Sequence, residues 1–169
     1  MQFETLFRPA RENPVSIALI GAGEFGMSLI AQSRRMQGLV VKAVADKDLD
    51  RVASTLAGMG IAARRCDSAA AAQSAVAVGE MALCESVSDL LTLPIDMIVE
   101  ATGDAEAGAR FALAAIEAGR GVTMVTKEAE CVVGPVLAAK ARAAGVPYTL
   151  VEGDQPALLI GLISWARTL

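Results

Sequence analysis

The segment Val15-Ser-Ile-Ala-Leu-Ile-Gly-Ala-Gly-Glu-Phe-Gly26 joins a predicted strand to a predicted helix through three closely spaced glycines. Its first six residues, Val15–Ile20, form a mostly apolar run of the length expected for a buried strand. A predicted helix begins at Glu24, between the second and third glycines, and places Phe25, Leu29 and Met36 on one face. A strand that turns into a helix through Gly-x-Gly-x-x-Gly is typical of the first turn of a βαβ unit.

The rest of the chain repeats the order of apolar run, alanine-rich helical stretch and glycine. Further strands are predicted at Leu39–Ala45, Ile61–Arg65, Met81–Cys84, Ile95–Ala101, Val122–Thr126 and Pro147–Val151. Helices are predicted at Glu24–Gln37, Leu49–Ala57, Asp67–Val78, Ser86–Leu93, Ala105–Ala118, Pro135–Ala144 and from Pro156 onward. Strands that alternate with helices in this way predict an α/β fold, a doubly wound parallel sheet covered on both faces.

The glycine loop carries the first functional prediction. Gly21 permits the tight turn, Gly23 lets a pyrophosphate approach the backbone, and Gly26 lets the helix pack closely on the strand. Glu24 and Phe25 lie in the first turn of the helix, whose free amides and positive dipole end favour phosphate. The pattern therefore predicts a Rossmann-type domain that binds NAD or NADP. The alternative is a glycine-rich turn that binds no ligand.

Asp46 bears on the choice between the two cofactors. It ends the second predicted strand, 20 residues after Gly26, where a carboxylate accepts hydrogen bonds from the adenosine ribose. A carboxylate repels a ribose phosphate, which favours NAD. Alternatively Asp46 caps the following helix, although Asp48 could do so equally well. Lys47 and Arg51 lie near enough in sequence to keep NADP open.

Three further loops follow strands at the edge of the sheet where ligands bind in this fold. Thr102 and Gly103 are predicted to border the nicotinamide riboside, or else to form an ordinary turn. Lys127 is predicted to place a positive charge beside a substrate carbonyl, its alternative being a solvated loop lysine. Asp154 is a candidate substrate contact, although an acidic residue is favoured before a helix in any case.

Composition excludes several classes of function. The formal net charge is −4 and aromatic residues make up 4%, so nucleic acid is not an expected partner. The absence of histidine removes the commonest general base and zinc ligand, and no metal site is predicted. No apolar run is long enough to span a bilayer. Three widely spaced cysteines are typical of a reducing, cytoplasmic location.

The predicted organisation is one domain with short extensions. We expect residues 1–14 to be an N-terminal extension, 15–155 the dinucleotide-binding domain, and 156–169 the start of a connecting helix, with a substrate domain absent. That helix carries Leu158, Leu159, Leu162 and Ile163, more apolar surface than packing on one sheet needs. We therefore expect a homo-oligomer.

Four segments of the chain resemble homoserine dehydrogenase-like oxidoreductases. They are Ile17–Gly26, Ile98–Gly103, Val125–Glu128 and Glu152–Pro156. The resemblance covers Val15 to Leu169 and is greatest to the bacterial branch with a C-terminal SAF-type domain, which includes deoxyxylulose-phosphate reductoisomerase-like enzymes.

The resemblance implies hydride transfer between a nicotinamide cofactor and a small carbonyl or hydroxy substrate. It implies a catalytic role for Lys127, with Glu128 and Asp154 toward substrate. The family's substrate and oligomerisation region follows the last predicted helix and is missing, so the chain alone is expected to be incomplete for catalysis. The alternative from another class is a nucleotide-sensing or regulatory Rossmann module without turnover.

Overall fold

The computed structural model describes residues 10–151 and 155–168, which form a seven-stranded parallel sheet with helices on both faces. The strands are β1 (Val15–Ile20), β2 (Leu39–Ala45), β3 (Ala63–Cys66), β4 (Met81–Cys84), β5 (Met97–Glu100), β6 (Gly121–Met124) and β7 (Tyr148–Leu150). The helices are α1 (Glu24–Ser33), α2 (Leu49–Gly58), α3 (Ala69–Ala77), α4 (Val87–Leu91), α5 (Ala105–Glu117), α6 (Lys127–Ala144) and α7 (Gln155–Ala166). The predicted doubly wound α/β fold is confirmed.

The order of the strands creates the ligand-binding edge. The order is β3-β4-β2-β1-β5-β6-β7, and every neighbouring pair is parallel. The chain builds outward from β1 on one side and then crosses to the other side at β5. From the carboxyl edge the chain leaves β1 toward α1 on one face and β5 toward α5 on the other, and ligands bind at such a point in open α/β sheets.

The central strand β1 is buried on both of its faces, which explains why it is apolar along nearly its whole length. In β1, Ala18 and Ile20 lie in the core cluster with α3, α4, α5 and α6. Ile17 and Leu19 lie in the second cluster, with α1 and α2. Successive side chains of a strand point to opposite faces, so each helical layer has its own core.

The largest correction concerns α6. A helix was predicted at Pro135–Ala144, but α6 begins at Lys127 and contains Pro135 in its interior. Buried Ala129 and Leu137 lie on the same side of this continuous helix. Proline is common at the first helical position, which is why the sequence suggested a helix start there. Lys127 and Glu128 therefore belong to a helix and not to a strand-end loop.

Helix α1 is shorter than predicted. It was expected to reach Gln37 but ends at Ser33. The Ser33 hydroxyl donates to the Ile30 carbonyl at 2.8 Å, and the Arg35 and Met36 amides bond to carbonyls only three residues back. A side-chain hydroxyl that binds the backbone competes with the regular helical pattern.

The two edge strands of the sheet differ in charge and in length. The outer strand β3 exposes Arg64 and Arg65, which form ion pairs with Glu80 and Asp50, each at 2.5 Å. The opposite edge strand, β7, contains three residues. The chain reaches β3 before β4, so β4 is inserted between β2 and the outer strand β3.

Helix α7 carries large apolar side chains that remain exposed. They are Leu158, Leu159, Leu162, Ile163 and Trp165. The predicted helix from Pro156 is thus present, and the prediction that it begins a connection to a further domain stays a prediction. In the portions 10–151 and 155–168, no helix combines the length and apolarity needed to cross a membrane.

Candidate functional site

Two of the three loop glycines are required by the protein itself. Gly21 has φ +89°, and a Cβ there would lie 2.6 Å from the Ala101 carbonyl oxygen. A Cβ at Gly26 would lie 2.5 Å from the Gly21 carbonyl oxygen and 2.8 Å from a methyl carbon of Leu19. Gly21 therefore permits contact between the loops after β1 and β5, and Gly26 permits α1 to pack tightly on β1.

Gly23 differs from the other two because nothing in the protein requires it. A Cβ at Gly23 would have no heavy atom within 4 Å, and its φ of −67° is accessible to other residues. Gly23 is also the N-cap of α1, so it provides no side chain to bind the first-turn amides. The loop thus has an open surface beside a helix N-terminus, which favours an anion.

Asp46 holds the glycine loop against β2. Its carboxylate accepts hydrogen bonds from the amides of Ala22 at 2.7 Å and Asp48 at 2.8 Å. The Arg51 guanidinium contacts both Asp46 oxygens at 3.4 Å and donates to the Ala22 carbonyl at 3.0 Å. Asp48 caps α2 by accepting from the Arg51 amide, so the capping alternative considered for Asp46 belongs to Asp48.

A cleft of about 330 Å³ lies beside this loop, across the carboxyl ends of β1, β2, β4 and β5. Its walls combine apolar and charged side chains: Ile20, Ala45, Asp46, Lys47, Glu85, Val87, Thr102, Asp104, Ala107 and Phe111, with Gly21 at the loop. Three of these residues are acidic and one is basic, so the lining of the cleft carries more negative than positive charge.

The turn after β5, residues 101–104, is held by Glu100 and Thr126. Glu100 is 0% exposed, and its Oε1 accepts from the Thr102 amide at 2.8 Å and the Thr102 hydroxyl at 2.6 Å. The Gly103 amide donates to the Thr126 hydroxyl at 3.0 Å. Thr126 is the N-cap of α6, so Thr102, Gly103 and the start of α6 are brought together.

Lys127 and Glu128 are exposed in the first turn of α6. A lysine at a helix N-terminus opposes the helix dipole, whereas a glutamate there is favoured. The helix dipole therefore explains a glutamate at position 128, but it does not explain a lysine at position 127. Glu152, Gly153 and Asp154 lie outside the described residues.

The other predicted loop residues have distinct surroundings. Glu24 is exposed, and Phe25, 40% exposed, lines an apolar groove on the α1 side together with Leu29 and Met97. Their backbones belong to the open first turn of α1, but the Phe25 side chain does not line the cleft of about 330 Å³.

Cys84 ends β4 directly before the cleft residue Glu85. Burial raises the pKa of the Cys84 thiol to about 11, which keeps it protonated at neutral pH. A protonated thiol is a poor nucleophile. The thiol therefore acts as part of the core, as does that of buried Cys66.

Sequence reasoning placed Glu100 and Thr126 at the ends of strands beside the site but assigned a role to neither. Glu100 ends a strand whose other three residues are apolar, and a charged residue is almost never fully buried unless it is paired. A carboxylate directly after Met97–Val99 was the available signal. Thr126 offered none, because its partner Gly103 is 23 residues away in the sequence.

No protein-family model matches the chain, and no curated protein matches it in sequence. Its fold does match solved structures. The WlbA dehydrogenase from Bordetella pertussis in complex with NADH and UDP-GlcNAcA has a TM-score of 0.64 at 18% identity, covering 92% of this chain and 42% of that one. Biliverdin reductase from Synechocystis sp. PCC 6803 in complex with biliverdin and NADP+ has 0.62 at 18%, covering 82% and 38%.

A homoserine dehydrogenase from Thiobacillus denitrificans also matches, with a TM-score of 0.57 at 24% identity, covering 82% of this chain and 29% of that one. The chain has the Rossmann fold. It spans less than half the length of each of these three proteins. At these identities the likeness extends to the fold and not to substrate.

The different surroundings of the glycines predict different effects on stability. Gly26→Ala should lower the free energy of unfolding by about 1–3 kcal/mol, since the new methyl group overlaps backbone and Leu19. Gly23→Ala should change it by less than about 0.5 kcal/mol, as is usual at open surface positions. Urea unfolding followed by circular dichroism measures both. Equal destabilisation by the two substitutions would contradict this account of the loop.

Proposed function

We propose that this chain binds NAD or NADP and forms the cofactor-binding domain of an NAD(P)-dependent oxidoreductase. The observation that carries the proposal is the open space at Gly23, where a side chain would meet no protein atom. Gly21 and Gly26 are explained by packing, whereas a glycine at position 23 is explained by a ligand that must approach the backbone. The open amides of α1 suit a pyrophosphate at the same place.

The remaining parts of a dinucleotide fit the surroundings of this loop. The cleft beside Asp46 and Val87 would hold the adenosine, and the turn with Thr102 and Gly103 would border the nicotinamide riboside. When bound, the nicotinamide ring supplies the hydride acceptor or donor. The residues of this chain would bind it, orient it and exclude water from one of its sides.

Solved proteins of the same fold support the cofactor class but differ in substrate. The dehydrogenase from Bordetella pertussis was solved with NADH and a nucleotide sugar, and the biliverdin reductase with NADP+ and biliverdin. Both are oxidoreductases, and both are longer than this chain. We therefore extend the cofactor class to this chain and not either substrate.

We favour NAD over NADP because of the charge at the ribose position. The Asp46 carboxylate stands at the cleft with a 9% exposed side chain, and Glu85 and Asp104 line the same cleft. A ribose phosphate would be desolvated against these carboxylates. Arg51 is the nearby cation that would attract a ribose phosphate, but its guanidinium already contacts Asp46 and the Ala22 carbonyl.

We propose a homoserine dehydrogenase-like reaction, with hydride moving to or from a small carbonyl or hydroxy substrate. The support is the sequence resemblance together with the position of Lys127, exposed at the start of α6 beside the Thr102–Gly103 turn. Its ammonium group would stabilise negative charge that develops on the substrate oxygen. Glu128 and Asp154 are proposed substrate contacts. A second domain would complete the site and exclude water.

The decisive variant for the proposed function is Gly23→Val. The wild-type chain should bind NADH or NADPH in a fluorescence titration, and Gly23→Val should bind neither detectably, since the side chain would fill the pyrophosphate space. Gly58→Val is the matched control, because a Cβ at Gly58 also has no neighbour within 4 Å but lies at the end of α2. Unchanged affinity in Gly23→Val would refute the loop assignment.

Asp46→Asn tests the cofactor preference. This change keeps the size of the side chain but removes its charge, so NADH should lose a charged hydrogen bond, worth roughly tenfold or more in affinity. NADPH should lose less because the repulsion of its phosphate is also removed. Asp48→Asn is the control, since asparagine is an equally good helix cap. An equal loss for both cofactors would mean that Asp46 acts only through the Ala22 contact.

We also propose that copies of the chain associate through α7. A helix that is apolar on all sides is normally buried, yet Leu158 and Leu162 are 58% and 60% exposed. Light scattering should give a dimer or larger species whose mass falls when both are changed to Gln. The control changes two exposed α6 residues, Val132 and Val136, to Gln. A wild-type chain that is monomeric at high concentration would overturn this proposal.

A further inference from the structure

The buried carboxylate of Glu100 is the most unusual polar group in the described structure. It is 0% exposed, and its Oε2 has no hydrogen-bond partner among the described residues. A Cβ at Gly108 of α5 would lie 3.0 Å from the carboxylate, so α5 needs a glycine there to accommodate Glu100. A group that is costly to bury and needs space made for it is expected to hold something in place.

What Glu100 holds is the turn after β5. Both donors of Thr102, its amide and its hydroxyl, are directed to one Glu100 oxygen. The Thr102 hydroxyl also accepts from the Asp104 amide at 3.2 Å. These bonds fix the direction in which the chain leaves β5, and Gly103 follows with φ +70°, a conformation that glycine adopts most readily.

The Thr126 hydroxyl binds the turn after β5 and does not cap its own helix. A threonine at an N-cap normally accepts a bond from an amide in the first turn, but Thr126 makes no such bond. Its hydroxyl instead accepts from the Gly103 amide, and the residue is 2% exposed. The start of α6 is therefore joined to the turn rather than capped.

We propose that Glu100 and Thr126 are positioning residues for the nicotinamide half of the bound dinucleotide. This inference rests on the proposed function. The latch, which consists of Glu100, Thr102, Gly103 and Thr126, fixes the Thr102 turn against the start of α6. The ADP-ribose half would be held by the glycine loop and Asp46, whose hydrogen bonds run to Ala22, Asp48 and Arg51. Thr102 also lines the cleft beside Asp46, whereas Gly103 and Thr126 are not part of its lining. Loss of the latch should thus affect the two halves of the cofactor unequally.

The experiment compares two ligands, NADH and ADP-ribose, by calorimetric titration of the 169-residue chain. Thr126→Val removes the acceptor for Gly103 with little change in volume, and should weaken NADH roughly three- to tenfold, the worth of one hydrogen bond. ADP-ribose should change less than about twofold. Thr126→Ser keeps the hydroxyl and should bind both ligands as the wild type does.

Two further variants complete the design. Thr123→Val is the matched control, on β6 but outside the latch, and should leave both affinities unchanged. Glu100→Leu removes the acceptor for both Thr102 hydrogen bonds and should reproduce the selective loss of NADH, so it provides the same test if Thr126→Val does not fold.

The outcomes separate this inference from the proposed function. A wild-type chain that binds neither ligand would overturn both. A wild-type chain that binds both, with latch variants that lose both affinities in parallel or lose neither, would overturn the positioning role alone. Selective loss of NADH, restored in Thr126→Ser, would support it.

Discussion

The close approach of Gly21 to Ala101 is the constraint on which the functional edge of this domain depends. The Gly21 amide bonds to the Ala45 carbonyl at the end of β2, and the Ala101 amide bonds to the Ile20 carbonyl at the end of β1, both at 2.8 Å. Three strand ends thus meet at one backbone position, where a Cβ has no space. The cleft opens beside this contact, with Asp46 and Thr102 both in its lining.

Two acidic residues hold the loops on either side of this contact in similar ways. Asp46 accepts the Ala22 amide, and Glu100 accepts the Thr102 amide. In each case a carboxyl oxygen accepts from a loop amide, which fixes the loop without requiring the loop itself to be buried. The loops can therefore remain open to a ligand and still be preorganised, which reduces the entropic cost of binding.

Much of this architecture could be predicted from the sequence because it is encoded locally. Val15–Ile20 was predicted without error, since a strand buried on both faces is apolar on both faces, and only Ser16 departs from that pattern here. The start of α6 was wrong because Pro135 resembles a helix start when considered alone. Thr126 could not be identified because its role depends on Gly103, which comes near only through the parallel pairing of β5 with β6. The spacing of apolar residues indicates which face of an element is buried, but it does not indicate hydrogen bonds between residues far apart in the sequence.

The order of the strands has a consequence for how the folded chain behaves in a crowded solution. An exposed sheet edge is a template on which foreign strands can add. Here one edge carries Arg64 and Arg65, each engaged in an ion pair, and the other ends in a strand of three residues. Charge at one edge and brevity at the other make both poor nuclei for amyloid-like growth. The long apolar strands that would be hazardous in that respect, β1 and β2, lie inside the sheet, where their backbone groups are already paired.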